Sequence, residues 1–427
     1  MDVSPQRKAL LARVAETYGT PAYAYFLNDV ADRIRSLRKH FDGRFEISYA
    51  AKSNPNPVIL QEMAGLVDFL DVSSGGEVKL GLGAGWSPTL MSFTGPAKTD
   101  KELELAVSAG VGHPVVESVA EARRLDHYAG KAGRTVPILV RIAPQMVPKG
   151  FGARMSGRAT QFGIPEEDMD EALTAILSLP HLRVEGFHIY SGTQCLEADS
   201  IVENFRNMAE IFGRLCPQLP SPPTQLVFGS GLGVPYHPGQ EALDLADVGG
   251  ETVAILDALR ARLDGAATAM VLETGRYLVG EAGFYLTGVI EVKASRGRRI
   301  AICDGGMNHH LAASGNLGSV IHRNYPFFTL AADGEPETVN VVGPLCTMID
   351  TLGQNVELPP LDAGDVIGIG ASGAYGLTTS PLHFISHGPP REVLVRGEGD
   401  EASLTDITGL QAGPAAWAAA RAGVSDE

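Results

Sequence analysis

Phe45-Glu46-Ile47-Ser48-Tyr49-Ala50-Ala51-Lys52-Ser53-Asn54-Pro55 reads as a short apolar strand that ends in a lysine and runs into a helix start. An amine at the end of a buried strand suits Schiff-base chemistry, because partial burial lowers a lysine pKa and frees the nucleophilic form. A lysine that merely caps a strand would look the same from this segment alone, so the rest of the chain has to decide. From about residue 45 to residue 276, short β-rich runs alternate with amphipathic runs. The strand candidates are 45–50, 67–73, 89–93, 113–116, 136–142, 182–190, 224–229 and 269–273. Between them lie stretches such as Asp100–Gly110, Val119–Ala132, Asp168–Ser178, Ser200–Leu215 and Glu251–Leu263, with apolar residues at three- and four-residue spacing. Such a series predicts an α/β fold with a TIM-like (β/α)8 barrel over residues 28–280, although a doubly wound sheet uses the same repeats.

After Arg276 the character changes. Residues 283–302, 337–345, 364–372 and 391–396 are β-rich, with Gly, Asp and Pro turns, and predict a C-terminal, mostly antiparallel β domain. The strand-like run Pro21–Leu27 has no helical partner before it and is assigned to that domain, which then comprises 1–27 and 281–427. Residues 1–18 read as an amphipathic helix, and the Ala- and Gly-rich tail from about 413 as a loosely held one.

Composition bounds the function. With 427 residues, 20% charged and 44% hydrophobic, the chain has the make-up of a folded, soluble protein of about two domains. A net charge of −16 argues against nucleic acid and anionic membranes as partners. The most basic stretch, Lys293-Ala294-Ser295-Arg296-Gly297-Arg298-Arg299, reads as a solvated hairpin turn. Cys195, Cys216, Cys303 and Cys346 lie far apart and suggest neither a zinc site nor a disulfide framework. No leader-like or membrane-spanning run is seen, so a cytoplasmic location is expected.

Chemistry in such a barrel sits at the C-terminal ends of its strands, and polar residues gather there in phase. They are Lys52, then Asp71-Val72-Ser73-Ser74, Thr94-Gly95-Pro96, Glu117-Ser118 and Arg141. His188, Tyr190, Ser191, Gly192, Thr193 and Gln194 follow the sixth strand, Gly229-Ser230-Gly231-Leu232-Gly233 the seventh, and Glu273-Thr274-Gly275-Arg276 the eighth. A glycine cluster after the seventh strand is where barrels often bind phosphate through backbone N–H groups. Beside a Schiff-base lysine it suggests one ligand with an aldehyde and a phosphate, and pyridoxal 5′-phosphate fits. Glu273 could hold the pyridine nitrogen protonated, which makes the ring an electron sink.

The runs Tyr49–Asn54, Gly186–Gln194, Gly229–Gly233, Glu273–Arg276, Asp304-Gly305-Gly306, Gly343-Pro344-Leu345-Cys346 and Ser372-Gly373-Ala374-Tyr375-Gly376, in this order and spacing, resemble the fold-type III pyridoxal-phosphate decarboxylases, the ornithine/arginine and diaminopimelate group. Asp304–His310, Gly343–Thr347 and Ser372–Leu377 look most like the glutamyl-carrier-protein decarboxylase type. The resemblance implies that Lys52 joins the cofactor aldehyde and that Gly231, Gly233 and Arg276 hold the phosphate, with Tyr375 adding its hydroxyl. Asp71, Tyr190, Thr193 and Glu273 complete the cofactor set. Cys346 is implied as the acid that reprotonates the α carbon, reaching in from the partner of a homodimer with shared active sites. Arg323, Tyr325, Thr347 and Tyr375 fall at substrate positions.

Three departures stand out. Ser230 interrupts the usual glycine run, and Tyr190 replaces the histidine that stacks on the ring. Thr347 follows the cysteine where ornithine enzymes carry an aspartate and diaminopimelate enzymes a glutamate that binds a distal amino group. The missing charge favours a neutral or tethered side chain, such as glutamate on a carrier protein, over free diaminopimelate or another free amino acid. An amino-acid racemase and a non-catalytic cofactor-binding regulator are the competing readings. Racemases of this fold lack the Gly-Pro-x-Cys segment, and regulators tend to lose the lysine. His309-His310, expected on a strand, invites a metal, but adjacent strand residues face opposite ways and no metal site is assigned. Cys195 and Cys303 are expected to be inert.

Overall fold

The computed structural model describes residues 3–263, 267–315 and 323–409. The chain divides into two compact units, one of residues 33–233 and 242–275, the other of the described residues within 1–32, 234–241 and 276–411. The tail expected to be helical lies outside the described residues.

The first unit is a closed parallel barrel. Its strands are Glu46–Ala50, Phe69–Val72, Met91–Phe93, His113–Val116, Val136–Ala143, Leu182–Ile189, Gln225–Gly229 and Ala269–Thr274. Ala269–Thr274 pairs with both Gln225–Gly229 and Glu46–Ala50, and His113–Val116 closes the ring on Val136–Ala143. Val115, Leu139, Val227 and Val271 form a buried cluster, with Phe69 and Ala269 against it. Successive strand residues alternate faces. Two residues beyond Phe69 and the four cluster members stand Asp71, Glu117, Arg141, Gly229 and Glu273. The sequence thus steps from an apolar plug to a polar layer on the same face of neighbouring strands, and that step positions the site.

The connecting helices begin where hydroxyl side chains satisfy their first N–H groups. Ser74 accepts from Glu77, Ser118 from Glu121, and Thr99 forms a reciprocal capping box with Glu102. Ser74 and Ser118, counted among the polar strand ends, are therefore helix caps. The helix Leu27–His40 carries apolar Leu27, Val30, Ile34 and Leu37 at helical spacing.

The second unit is built on a nine-stranded, mostly antiparallel sheet. Ala22–Phe26 belongs to it, pairing antiparallel with Gly283–Ser295 and parallel with Arg391–Arg396. The helix Pro5–Tyr18 starts at the Ser4 cap and buries Leu10, Leu11 and Val14 in a cluster with Phe26, Phe284 and Leu286. Burying each of these large side chains contributes about 1.5–3 kcal/mol. Thr351–Leu358 is a strand that the sequence reading left out. His309 and His310 lie in a turn after Arg298–Cys303, not on a strand. Both are buried, with His309 Nε2 2.9 Å from the Gly388 carbonyl and His310 Nε2 2.8 Å from Ser372 Oγ.

Candidate active site

Lys52 sits just past its strand, on the single 3-10 turn Ala51–Ser53 that follows Glu46–Ala50. Ser53 donates to the Ala50 carbonyl, and Tyr49 donates its hydroxyl to the Asn54 carbonyl, so the turn is pinned from both sides. Lys52 Nζ stands 3.7 Å from Glu273 Oε1 and 3.9 Å from Asp71 Oδ2. The Tyr190 ring centroid is 5.6 Å from it. Lys52, Arg141, Phe162, His188, Tyr190 and Glu273 are among the residues lining one cavity of about 230 Å³. Larger hollows of about 340 and 560 Å³ on the barrel unit are lined by no lysine.

The carboxylates are fully buried and differently supported. Asp71 accepts from Ser92 Oγ at 2.9 Å and Thr94 Oγ1 at 2.8 Å. Burial, then the Glu273 charge, push Asp71 up to about 8 against the pull of Lys52 and the two hydroxyls. Burial acts upward on Glu273 too, but Lys52 and the hydrogen bond from His188 outweigh it and bring Glu273 down to about 2. Of the two acids flanking the amine, Glu273 keeps its charge.

A second polar knot borders the cavity. Arg141 Nη1 donates to Glu117 Oε1 at 2.8 Å, and both side chains are buried. Glu117 also accepts from Gly95 N at 2.7 Å and Gly163 N at 3.0 Å, tying two strand-end loops to one carboxylate. Burial raises the Glu117 pKa, but Arg141 and Lys98 lower it further, so the net shift is downward.

The glycine loop follows Gln225–Gly229. Gly231 has φ +66°, a left-handed conformation that glycine adopts without strain. A Cβ at Gly233 would lie 2.7 Å from the Cys195 carbonyl oxygen. Gly233 N donates to that oxygen and Cys195 N donates to the Gly231 carbonyl, so the loop is locked against residues 192–195. In that stretch Thr193 lies in a two-residue strand paired with Ala153. Ser191 Oγ, beside it, is buried with no hydrogen-bond partner. An amine, a standing buried anion, a tight glycine loop and an unsatisfied hydroxyl fit pyridoxal phosphate, which needs groups for its aldehyde, ring nitrogen and phosphate.

In the β-sheet unit, Arg276 opens the helix Arg276–Val279. Its guanidinium donates to the Tyr236 hydroxyl at 3.0 Å and lies 4.7 Å from the Tyr375 ring centroid. Tyr375 has φ +56°, a left-handed conformation costly for a side-chain-bearing residue, held in the Ser372–Gly376 turn. Tyr325 is buried, 5.0 Å from Tyr236 and 5.4 Å from His310 by ring centroids, whereas Arg323 is exposed. Cys346 is exposed and Thr347 half-buried on the turn Leu345–Asp350. Asp350 holds that turn, with buried oxygens accepting from Met307 N at 2.6 Å and Leu345 N at 2.8 Å. Cys195 and Cys303 are buried, and burial pushes Cys303 up to about 12.

The barrel unit therefore brings together Lys52, Asp71, Tyr190 and Glu273, with Gly231, Gly233 and Thr193 in the neighbouring loop and ribbon. The other unit groups Arg276, Tyr325 and Tyr375 and sets Cys346 and Thr347 on a turn. Sequence reasoning missed Tyr236, which carried no motif, and the link between His188 and Glu273, residues 85 apart in the chain.

Residues 27–280 match the family model described as the pyridoxal binding domain of pyridoxal-dependent decarboxylases. The chain is 34% identical over 406 residues to the L-glutamyl-[BtrI acyl-carrier protein] decarboxylase of Niallia circulans, covering 91% of this chain and 92% of that one. It is 30% identical to the diaminopimelate decarboxylase of Aquifex aeolicus, over 90% of this chain and 89% of the relative. Among solved structures it resembles diaminopimelate decarboxylase from Helicobacter pylori complexed with L-lysine. The TM-score is 0.81 at 27% identity, covering 93% and 95% of the two chains.

Proposed function

From the fact that the chain belongs to the pyridoxal-dependent decarboxylases, as a pyridoxal-phosphate-dependent amino-acid decarboxylase, we propose that it removes the α-carboxylate of an L-amino acid whose side chain is neutral or carrier-bound, the glutamyl group of a carrier protein foremost. The observation that carries this reading is the Leu345–Asp350 turn. Thr347 offers no charge to a distal ammonium. The one acid of the turn, Asp350, is 3% exposed and spends its oxygens on two backbone N–H groups. A diamino acid would find no counter-ion on that turn, and an ammonium left unpaired as it is buried costs free energy. The 34% identical relative is named for a glutamyl carrier-protein substrate, which supports the same reading.

The cofactor, when bound, supplies an aldehyde that takes the substrate amine and a protonated ring that accepts the electron pair left by carbon dioxide. Lys52 would hold it at rest and return to release the product amine. Glu273 would hold the ring proton, Asp71 would bear on the Lys52 ammonium, and Tyr190 would lie against the ring. Gly231, Gly233, Thr193, Arg276 and Tyr375 would take the phosphate, and Arg323 and Tyr325 would bear on the substrate. Cys346 would deliver a proton from Sγ to the α carbon. We assign it to the partner's site in a cytoplasmic homodimer. The exposure of the apolar tip beside it, Met348 at 95% and Ile349 at 53%, supports that assignment. Among the described residues no helix is long and apolar enough to cross a membrane. The racemase and regulator readings are not favoured by relatives that are decarboxylases.

A carbon dioxide release assay over free amino acids and aminoacyl carrier proteins tests the reading. Turnover is expected on glutamyl carrier protein and not on diaminopimelate or ornithine. Efficient turnover of either diamino acid, with none on the carrier-bound substrate, would overturn it.

A further inference from the structure

The barrel cavity holds one buried side chain whose task the family reading leaves open. His188 is 1% exposed, on the last full turn of alternation in Leu182–Ile189. Its Nε2 stands 2.7 Å from Glu273 Oε2, and its Nδ1 is buried with no hydrogen-bond partner. Among the described residues lining the cavity it is the one imidazole, because Tyr190 occupies the place expected of a ring-stacking histidine.

We propose that His188 is a positioning residue for Glu273: neutral, with its single proton on Nε2, it donates to Oε2 and so leaves Oε1, on the Lys52 side, as a fixed anionic acceptor for the cofactor's ring nitrogen. The tautomer follows from the contacts. A charged, fully buried carboxylate takes the N–H on offer, and an Nδ1 proton would face no acceptor. Strand pairing supplies the rest. Arg141 is the register partner of His188 on the neighbouring parallel strand, and its charge disfavours an imidazolium. Arg141 is itself paired to Glu117, and Lys52 and Asp71 face Glu273 from two further strand ends. Burial lowers the His188 pKa, Glu273 raises it and Arg141 lowers it, for a net downward shift. Without the Nε2–H, Glu273 would be free to rotate towards Lys52 or to take up a proton, and either change weakens the ring-nitrogen contact.

The first test is nitrogen-15 NMR of histidine-labelled apoprotein, with His188 assigned by its absence in His188→Gln. A bare Nδ1 and a protonated Nε2 are expected; the opposite tautomer or an imidazolium near neutral pH overturns the proposal. The second is titration of the apoproteins with pyridoxal 5′-phosphate, followed by the visible band. His188→Gln places an N–H near the Nε2 position and should bind within about threefold of wild type. His188→Asn and His188→Leu lack that donor and should bind about tenfold or more weakly, the loss of one hydrogen bond to a charged group, with the band shifted. Equal affinities and bands in all four proteins refute the role. So do equal losses in the Gln and Asn variants, which would indicate packing alone. If His188→Leu does not fold, the tautomer and the Gln–Asn contrast still decide. None of these readouts depends on which amino acid is decarboxylated.

Discussion

Asp350→Ala is the sharpest perturbation available in the β-sheet unit. The side chain is buried, and its two oxygens each accept one backbone N–H, from Met307 and from Leu345. A hydrogen bond to a charged acceptor contributes about 1.5–3 kcal/mol. Burial already makes this carboxylate costly to ionise, and the two N–H donors offset part of that, so the lower end applies and the pair is worth about 3 kcal/mol. Alanine also leaves a void, because Gly306 and Gly343 both pack against the carboxylate and neither has a side chain to fill it. The expected loss is about 3–5 kcal/mol, or a fall in Tm of about 6–20 °C for this unit. Asp350→Asn keeps one acceptor oxygen and should lose about half as much. The chemical consequence falls on Cys346, whose turn the carboxylate closes. Turnover should drop about tenfold or more while affinity for pyridoxal phosphate stays within about threefold, since no residue assigned to the cofactor is replaced. Differential scanning calorimetry with a carbon dioxide release assay reads both effects. An alanine variant that melts within about 2 °C of wild type at full turnover would refute the claim that Asp350 holds the turn.

Lys52→Ala should abolish both the visible cofactor band and turnover, and an unchanged spectrum would remove Lys52 from the chemistry. Arg141→Met removes the salt-bridge partner of buried Glu117 and should cost up to about 3–5 kcal/mol, whereas adding Glu117→Gln should recover part of it; paired melts of the single and double variants measure this. The depressed pKa values of His309, about 4, and His310, about 3, give stability that is complete above about pH 6.5. As the pH falls below that, the unfolded chain takes up protons these rings refuse, so stability is lost at up to about 1.4 kcal/mol per pH unit for each ring, down to the folded pKa values. Urea unfolding of wild type and His310→Asn between pH 7 and pH 5 should give a shallower slope for the variant, and parallel slopes would contradict the assignment.

The barrel was legible because each strand states its own inward face. Val115 and Glu117, Leu139 and Arg141, Val271 and Glu273 are pairs two residues apart, and that spacing puts core and chemistry on one face wherever the strand sits. What one strand cannot state is which residue of another lies beside it. The His188–Glu273 bond depends on the register through Gln225–Gly229, where Val227 faces His188 and Gly229 faces Glu273. Strand Thr351–Leu358 was missed for a different reason. Gly353, Gln354 and Asn355 interrupt its β-forming residues, and Asn355 takes φ +48°. The His309-His310 pair lies off the strand because the Gly305-Gly306 pair turns the chain first. Ser74 and Ser118 show the limit of reading polarity alone, since a cap and a ligand can be the same residue type at the same offset.

That broken strand also bears on how the protein behaves in a crowded solution. Among the described residues the eight barrel strands close on themselves, but the other unit's sheet has terminal strands at Thr351–Leu358, at the three-residue Phe327–Thr329 and at the four-residue Ser403–Asp406. An open edge is a template on which another chain can add a strand. Here the pairing of Thr351–Leu358 with Glu337–Val342 slips register twice, and the Ser403–Asp406 edge is short and mostly exposed. Irregular or short edges offer a poor ladder for continued stacking. The residues that hid the strand from sequence reading are thus the ones that make its ladder irregular.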